Sequence, residues 1–352
     1  MKTALFLCFT LALAACSATN NNDPQPGQEY FPPLDGSTWE TTSPQELGWN
    51  AAAESELSQY LEQKNTRAFI ILIDGKIAME RYYNGHTASS PWYWASAGKT
   101  LTTAITGIAE QEGFVSRNHK VSQHLGLGWT SAGIEKENLI TVRHLLTMTS
   151  GLDETLGDDV SPGNLQYVAD AGSRWAYHNV YVKLQDVVAA ASGTSFNAYF
   201  NSRLRDRIGM TGTWIPNGGL SVYWSNARSM ARFGLLMLRN GHWEGESIVD
   251  ADYLLDATQS SQPMNPAYGY MWWLNGKNSY MLPQTQLSFA GSLIETAPAD
   301  MYAALGKNDQ KIYVVPSRKM VVIRMGDAAD GSNFALSDFD EVLWEKISAL
   351  YE

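Results

Sequence analysis

The chain has 352 residues, of which 44% are hydrophobic and 17% charged, so it carries enough apolar surface for a large globular body of two lobes or one big domain. Thirty-six acidic residues against 25 basic ones leave a formal net charge of -11 with no basic block, which argues against nucleic acid as a partner. The 12 Trp and 17 Tyr suit aromatic-lined clefts as well as an aromatic core.

The first stretch reads as a targeting segment. Met1-Lys2 is a short positive start, and the apolar run Ala4–Ala14 is too short to span a bilayer as a mature helix. It ends in "LAAC", Leu13–Cys16, small residues before a Cys that resemble a bacterial lipobox. That pattern predicts removal of residues 1–15 as a lipoprotein signal peptide and lipidation of Cys16. The only cysteines are Cys8 and Cys16, so the processed chain has no intrachain disulfide, and its one thiol sits where a lipid would consume it. Ser17 after the Cys resembles outer-membrane sorting. The expected location is the bacterial cell envelope, lipid-anchored at the outer membrane and facing the periplasm. Residues 16–36 are polar and Pro-rich and read as a flexible tether, leaving 37–352 as the folded body.

Ser43-Pro44 has the residues of a helix start, and a first helix is expected over about Ala51–Lys64. Arg67–Tyr83 reads as two strands around a tight turn at Asp74-Gly75. From about Thr100 to Thr258 the pattern is mostly helical with Gly and Pro breaks. Within it, Met230, Phe233, Leu236 and Met237 share one helical face, and Gly241 sits where that helix stops. Short strands return at Asp300–Gly306, Gln310–Pro316 and Lys319–Gly326, and Asp338–Tyr351 reads as a closing helix. Strands at both ends with helices between predict an α/β (α+β) fold. One sheet is assembled from the two chain ends, a mostly helical lobe of about residues 100–290 is inserted between them, and the cleft lies at the seam.

The chemistry centres on "WASAGKTLTTAI", Trp94–Ile105. Residues three apart on a helix stand about 5–6 Å apart at Cβ, so Ser96 and Lys99 can touch. Leu101, Ala104, Ile105 and Ile108 form an apolar stripe, which buries the helix and desolvates a lysine near its start. A free lysine pKa of about 10.4 must fall by roughly three units before the amine is a base at neutral pH. A helix N-terminus also offers free N–H groups to a developing oxyanion. The plainer reading is a serine N-cap with a lysine behind it, since Ser-x-x-Lys arises about once by chance in a chain of this size. Here the motif occurs once, after an aromatic lead-in, Trp92-Tyr93-Trp94, that is unusual for a solvent-facing cap.

Two further stretches bear on the choice. "GSRWAYHNVYVKL", Gly172–Leu184, holds Tyr-x-Asn at Tyr177–Asn179, a weak motif that also occurs at Tyr82–Asn84 and Tyr199–Asn201. "RHLLTMTSGLD", Arg143–Asp153, precedes it. With these, the chain resembles the serine β-lactamase and penicillin-binding-protein superfamily, and within it class C-like serine hydrolases and esterases, including 6-aminohexanoate-dimer hydrolase-like proteins. The resemblance runs from about Ser43 to Tyr351 and takes in "ARSMARFGLLMLRNGHW", "YGYMWWL" and "KIYVVPSRKMVVIRMG". It implies a β-lactamase-like fold whose sheet is antiparallel. It implies that Ser96 attacks an acyl carbonyl and forms an acyl-enzyme while Lys99 takes its proton. Tyr177 would pass a proton to the leaving group and later help activate water. Asn179 would hold Lys99 and bind substrate. The Ser96 N–H and the strand around Ala304 and Leu305 would form the oxyanion hole.

The chain departs from that family at its third motif. No Lys-Thr-Gly follows Ser96, and counting back from "YVVP" without gaps puts Met301-Tyr302-Ala303 in its place. Lys307 is near, in an expected turn, and Asp309 stands before the Gln where many esterase-like relatives have Gly. The expected activity is therefore hydrolysis of a small ester or amide, with the bilayer met only through the lipid. The alternatives are a penicillin-binding or β-lactamase-type protein acting on β-lactams or peptidoglycan peptides, and a catalytically inert envelope interaction protein. No Ser lies in Gly-x-Ser-x-Gly, and neither His-Glu-x-x-His nor a Cys cluster occurs, so no metal and no cofactor is expected. His144 reads as a packed helix residue, His178 as pointing away from the partners of Tyr177, and Trp272-Trp273 as wall or core.

Overall fold

The computed structural model describes residues 29–331 and 336–352; the expected signal peptide and Cys16 lie outside the described residues. Helix α1 (Ala51–Gln63) starts at Asn50, whose side chain accepts the Ala52 and Ala53 N–H groups. The Ser43 signal closes only a turn, in which Ser43 bonds Glu46. Strands β1 (Thr66–Ile73) and β2 (Lys76–Tyr82) follow, joined by Asp74 at φ 49° and Gly75 at φ 89°. Positive φ at both turn residues matches the twist of a two-residue hairpin.

The other principal elements are α2 (Lys99–Gln111), α3 (Lys183–Ser192), α4 (Ala227–Leu238), β3 (Trp273–Leu274), β4 (Tyr302–Gly306), β5 (Gln310–Val315), β6 (Met320–Gly326) and α5 (Asp338–Ser348). The main sheet runs β2-β1-β6-β5-β4-β3, every neighbour antiparallel. β1 pairs with β6, for example Ile70 with Ile323, so the two chain ends do build one sheet. Both sheet faces are covered. A Cβ on Gly234 of α4 would stand 2.5 Å from Val321 and 3.3 Å from Ile312, so the missing side chain lets this helix lie directly on the strands. The next residue after Ile312, Tyr313, points the opposite way and meets Trp344 of α5 edge-on at 5.4 Å.

In the inserted lobe, α2 is buried from Lys99 to Ala109. Burying side chains such as Leu101 and Ile105 contributes about 1.5–3 kcal/mol each, which offsets the cost of carrying a lysine into the same helix. The lobe is not purely helical. A three-stranded antiparallel sheet of Trp92–Tyr93, Leu220–Ser225 and Thr213–Asn217 stands in it, with Leu220–Ser225 at its centre. These strands are short and partly exposed, so they carry no long apolar run. Their sequence signal was Gly218-Gly219 between two β-rich stretches.

The tether expected over residues 16–36 is corrected at its far end. Arg232 donates to the carbonyls of Pro32 at 3.3 Å and Pro33 at 2.6 Å, Arg239 pairs with Glu29 at 3.0 Å, and the rings of Phe31 and Trp243 lie 5.1 Å apart. Two arginines and an aromatic pocket on the body hold Glu29–Pro33 against it, partners that composition alone does not reveal.

Candidate active site

Ser96 sits on a single 3-10 turn, Ala95–Gly98, that runs directly into α2. Ala95 has φ 48°, a left-handed conformation that costs a non-glycine residue roughly 1–3 kcal/mol. The strained residue stands immediately before Ser96 and sets the chain's entry into the turn. Lys99 is the first residue of α2, and its Nζ lies 2.9 Å from Ser96 Oγ. The three-residue spacing thus becomes a direct contact.

Lys99 is 4% exposed. Its Nζ stands 4.9 Å from the ring centre of Tyr177 and 4.5 Å from that of Tyr181. Burial brings its pKa down to about 7, with the Asp158 carboxylate pulling the other way. Burial pushes the Tyr177 phenol up to about 12, opposed by its hydrogen bond with Ser96. At neutral pH, then, Lys99 is available as a neutral amine and Tyr177 keeps its proton. Tyr177 is walled by Trp273, stacked at 5.9 Å, and by Tyr268, edge-on at 6.3 Å. Trp273 and Trp272 are 4% and 0% exposed, wall and core as expected.

Ser96, Lys99, Tyr177 and Asn179 all line one cleft of about 600 Å³, together with Asp158, Leu220, Val222, Gln284 and Lys307. Asn179 does not hold Lys99: its amide donates to Asp158 at 2.6 Å. Tyr181 stands beside the lysine instead. Tyr177 and Tyr181 both come from "YHNVY", where extended His178 leads into a 3-10 turn over Asn179–Val182, so no helical period in the sequence shows that both rings flank one lysine.

The strand contribution also moves. Ala304 and Leu305 are 1% and 2% exposed inside β4, and of this strand end it is Lys307 that lines the cleft. Gly306 pairs with Gln310 across a three-residue turn, Lys307–Asp309. A Cβ on Gly306 would stand 2.6 Å from the Trp94 carbonyl oxygen and 3.0 Å from the Ala97 nitrogen, so this glycine is where β4 meets the Ser96 turn. The ungapped count to Met301–Ala303 fails because the turn is short: the strand end that reaches the nucleophile lies nearer to Gln310. Met301 and Tyr302 are buried away from the cleft, and the Tyr302 hydroxyl donates to the Met237 carbonyl at 3.0 Å.

The histidines take other places. His144 closes a capping box with Thr141. His178 is 4% exposed and touches the cleft wall, its ring nitrogens without a partner among the described residues, and burial pulls its pKa down to about 4 against the nearby Glu154 and Asp153.

Comparison with known proteins agrees with this architecture. No curated protein matches the chain. Among solved structures, a Bacillus anthracis protein assigned as a 6-aminohexanoate-dimer hydrolase superposes with a TM-score of 0.65 at 20% identity, covering 83% of this chain and 81% of its own. A Bacteroides dorei protein assigned as a beta-lactamase gives 0.67 at 16% identity, covering 86% and 99%. A hydrolase with promiscuous acyltransferase activity gives 0.63 at 14% identity, covering 88% and 99%. At these identities the likeness shows the fold, and one fold hosts several substrates. The beta-lactamase family model matches residues 57–341, most of the chain, and this protein therefore belongs to the beta-lactamase family, whose members are typically serine hydrolases.

Proposed function

We propose that the protein is a serine acyl hydrolase that works through an acyl-enzyme on a small ester or amide. The observation that carries this is the buried Lys99 amine, at a pKa of about 7, 2.9 Å from Ser96 Oγ. A neutral amine there accepts the hydroxyl proton as Ser96 attacks the carbonyl. The Tyr177 phenol, protonated at neutral pH, gives a proton to the leaving group and is restored from the Lys99 ammonium. In deacylation the same groups run in reverse on a water molecule. The oxyanion is assigned to the Ser96 N–H, in the first turn where helix N–H groups have no partner within the helix, and to the Gly306–Lys307 end of β4.

The uncharged wall of Leu220 and Val222 suits a small apolar acyl or leaving group. Lipid anchoring through Cys16, with the body held at the outer membrane in the periplasm, is part of the same proposal and rests on the lipobox-like run. The test is covalent labelling by a fluorophosphonate together with a panel of p-nitrophenyl esters. Ser96→Ala is expected to abolish labelling and nearly all turnover, Lys99→Ala as much, and the double variant is expected to look like either single one. A Ser96→Ala protein that still hydrolyses esters at the wild-type rate would place the chemistry elsewhere.

A further inference from the structure

The turn Lys307–Asp309 is held from both sides, and of its three residues only Lys307 is exposed. Asn308 and Asp309 both adopt left-handed backbone, at φ 59° and 58°, and neither is glycine. On the side of the nucleophile, Asn308 Nδ2 donates to the Tyr93 hydroxyl at 2.7 Å, and Tyr93 lies three residues before Ser96. On the other side, Asp309 is 0% exposed. Its Oδ1 pairs with Lys311 at 3.2 Å and accepts from Ser337 at 3.2 Å, while its Oδ2 accepts the Ala329 N–H at 3.0 Å.

Those bonds belong to a larger buried cluster. Lys311 also pairs with Asp340 at 2.8 Å, and Asp340 takes the Tyr313 hydroxyl and the Ser337 N–H. Arg324, 0% exposed, donates to the carbonyls of Asn308 and Asp309, each at 3.0 Å. Two carboxylates and two cations balance. Buried ion clusters of this kind add little net stability, so their retention asks for a positional reason. The turn they grip begins at Gly306, which touches the Ser96 segment at its Trp94 carbonyl and Ala97 nitrogen.

We infer that Asp309 is a positioning residue for the acyl-transfer reaction: its buried carboxylate, with Lys311 and Asp340, fixes the 307–309 turn so that the Gly306–Lys307 backbone stays aimed at the oxyanion formed beside Ser96. The inference rests on the serine-hydrolase reading above. A donor group held in place for charge that develops only in the transition state acts on kcat and not on substrate affinity. An amide cannot replace the carboxylate. It has one acceptor oxygen, whereas Lys311 and Ser337 on one side and the Ala329 N–H on the other each demand an acceptor.

The experiment uses the protein carrying Asp309→Asn and, separately, Tyr93→Phe, which removes the strut on the opposite side of the turn and leaves the buried cluster intact. Active sites are titrated with a fluorophosphonate, and kcat and KM for a p-nitrophenyl ester are measured per titrated site, beside the thermal midpoint. The expected result is a fall in kcat of about tenfold or more for Asp309→Asn and about threefold for Tyr93→Phe, with KM within about twofold of wild type. A purely structural role would lower the midpoint and the number of titrated sites but leave kcat per site unchanged. That outcome in Asp309→Asn overturns the inference. If Asp309→Asn does not fold, an unchanged kcat per site in Tyr93→Phe overturns it. A wild type that reacts with neither probe overturns the hydrolase reading itself, whereas a reactive wild type with unaffected variants overturns this inference alone.

Discussion

Replacing Lys99 by Met is expected to abolish activity and yet make the protein more stable, by an amount that depends on pH. The folded lysine has a pKa of about 7, against about 10.4 for a free lysine. At about 1.4 kcal/mol per unit, that gap disfavours the buried ammonium by roughly 4–5 kcal/mol. Met has a similar length and carries no charge to desolvate, but it forgoes the 2.9 Å contact with Ser96, worth about 1 kcal/mol. The expected gain near pH 7 is therefore about 2–4 kcal/mol. The sign with pH follows from proton counting. Between the folded and unfolded pKa values the unfolded chain holds the Lys99 proton and the folded chain does not, so wild-type stability rises with pH across that window. The variant has no such proton, and its advantage should shrink by about 3 kcal/mol by about pH 9.5. Other titrating groups cancel in the difference between the two proteins. The assay is urea unfolding of wild type and Lys99→Met at both pH values, compared at equal m. A variant less stable than wild type near neutrality, or a difference that does not change with pH, would refute the claim that Lys99 is held as a desolvated base.

The remaining predictions concern activity and location. The acid limb of kcat/KM should fall near pH 7, with activity rising as Lys99 loses its proton, and Asp158→Asn should move that limb to lower pH because the carboxylate holds the lysine pKa up. A limb that stays put in the pH–rate profile, or moves up, contradicts this. Loss of the Lys-Thr-Gly grip on a substrate carboxylate removes a charge-assisted bond of roughly 1.5–3 kcal/mol, or about ten to a hundredfold or more in rate. Short-chain p-nitrophenyl esters should accordingly outrun a chromogenic cephalosporin by orders of magnitude on one preparation, and a faster cephalosporin would assign Lys307 the carboxylate-binding task instead. Cys16→Ala should abolish palmitate labelling and membrane association in cells. Wild-type protein found unlabelled in the soluble periplasmic fraction would sink the anchor.

The sequence by itself determined what depends on neighbours along the chain. Ser96 and Lys99 meet because three residues make almost one helical turn, and that holds in the observed contact. The apolar stripe of α2, the Asp74-Gly75 hairpin and the three C-terminal strands were legible for the same reason: period and turn chemistry are local. Tertiary structure decided what depends on residues far apart in sequence. The lowered pKa that leaves Lys99 neutral near pH 7 comes from its burial beside Tyr177 and Tyr181, which arrive from another segment. The partner of Asn179 is Asp158, supplied by a loop whose path no local pattern fixes. The strand end that faces Ser96 was displaced from Ala304-Leu305 to Gly306-Lys307 because a three-residue turn, closed from below by buried Asp309 and Lys311, sets the register of β4. Glu29–Pro33 reads as tether from its composition, and only the arginines of α4 and beyond, Arg232 and Arg239, show that it is part of the body. Charge pairing and register are settled by the packing of distant segments, and a single sequence read locally does not contain that geometry.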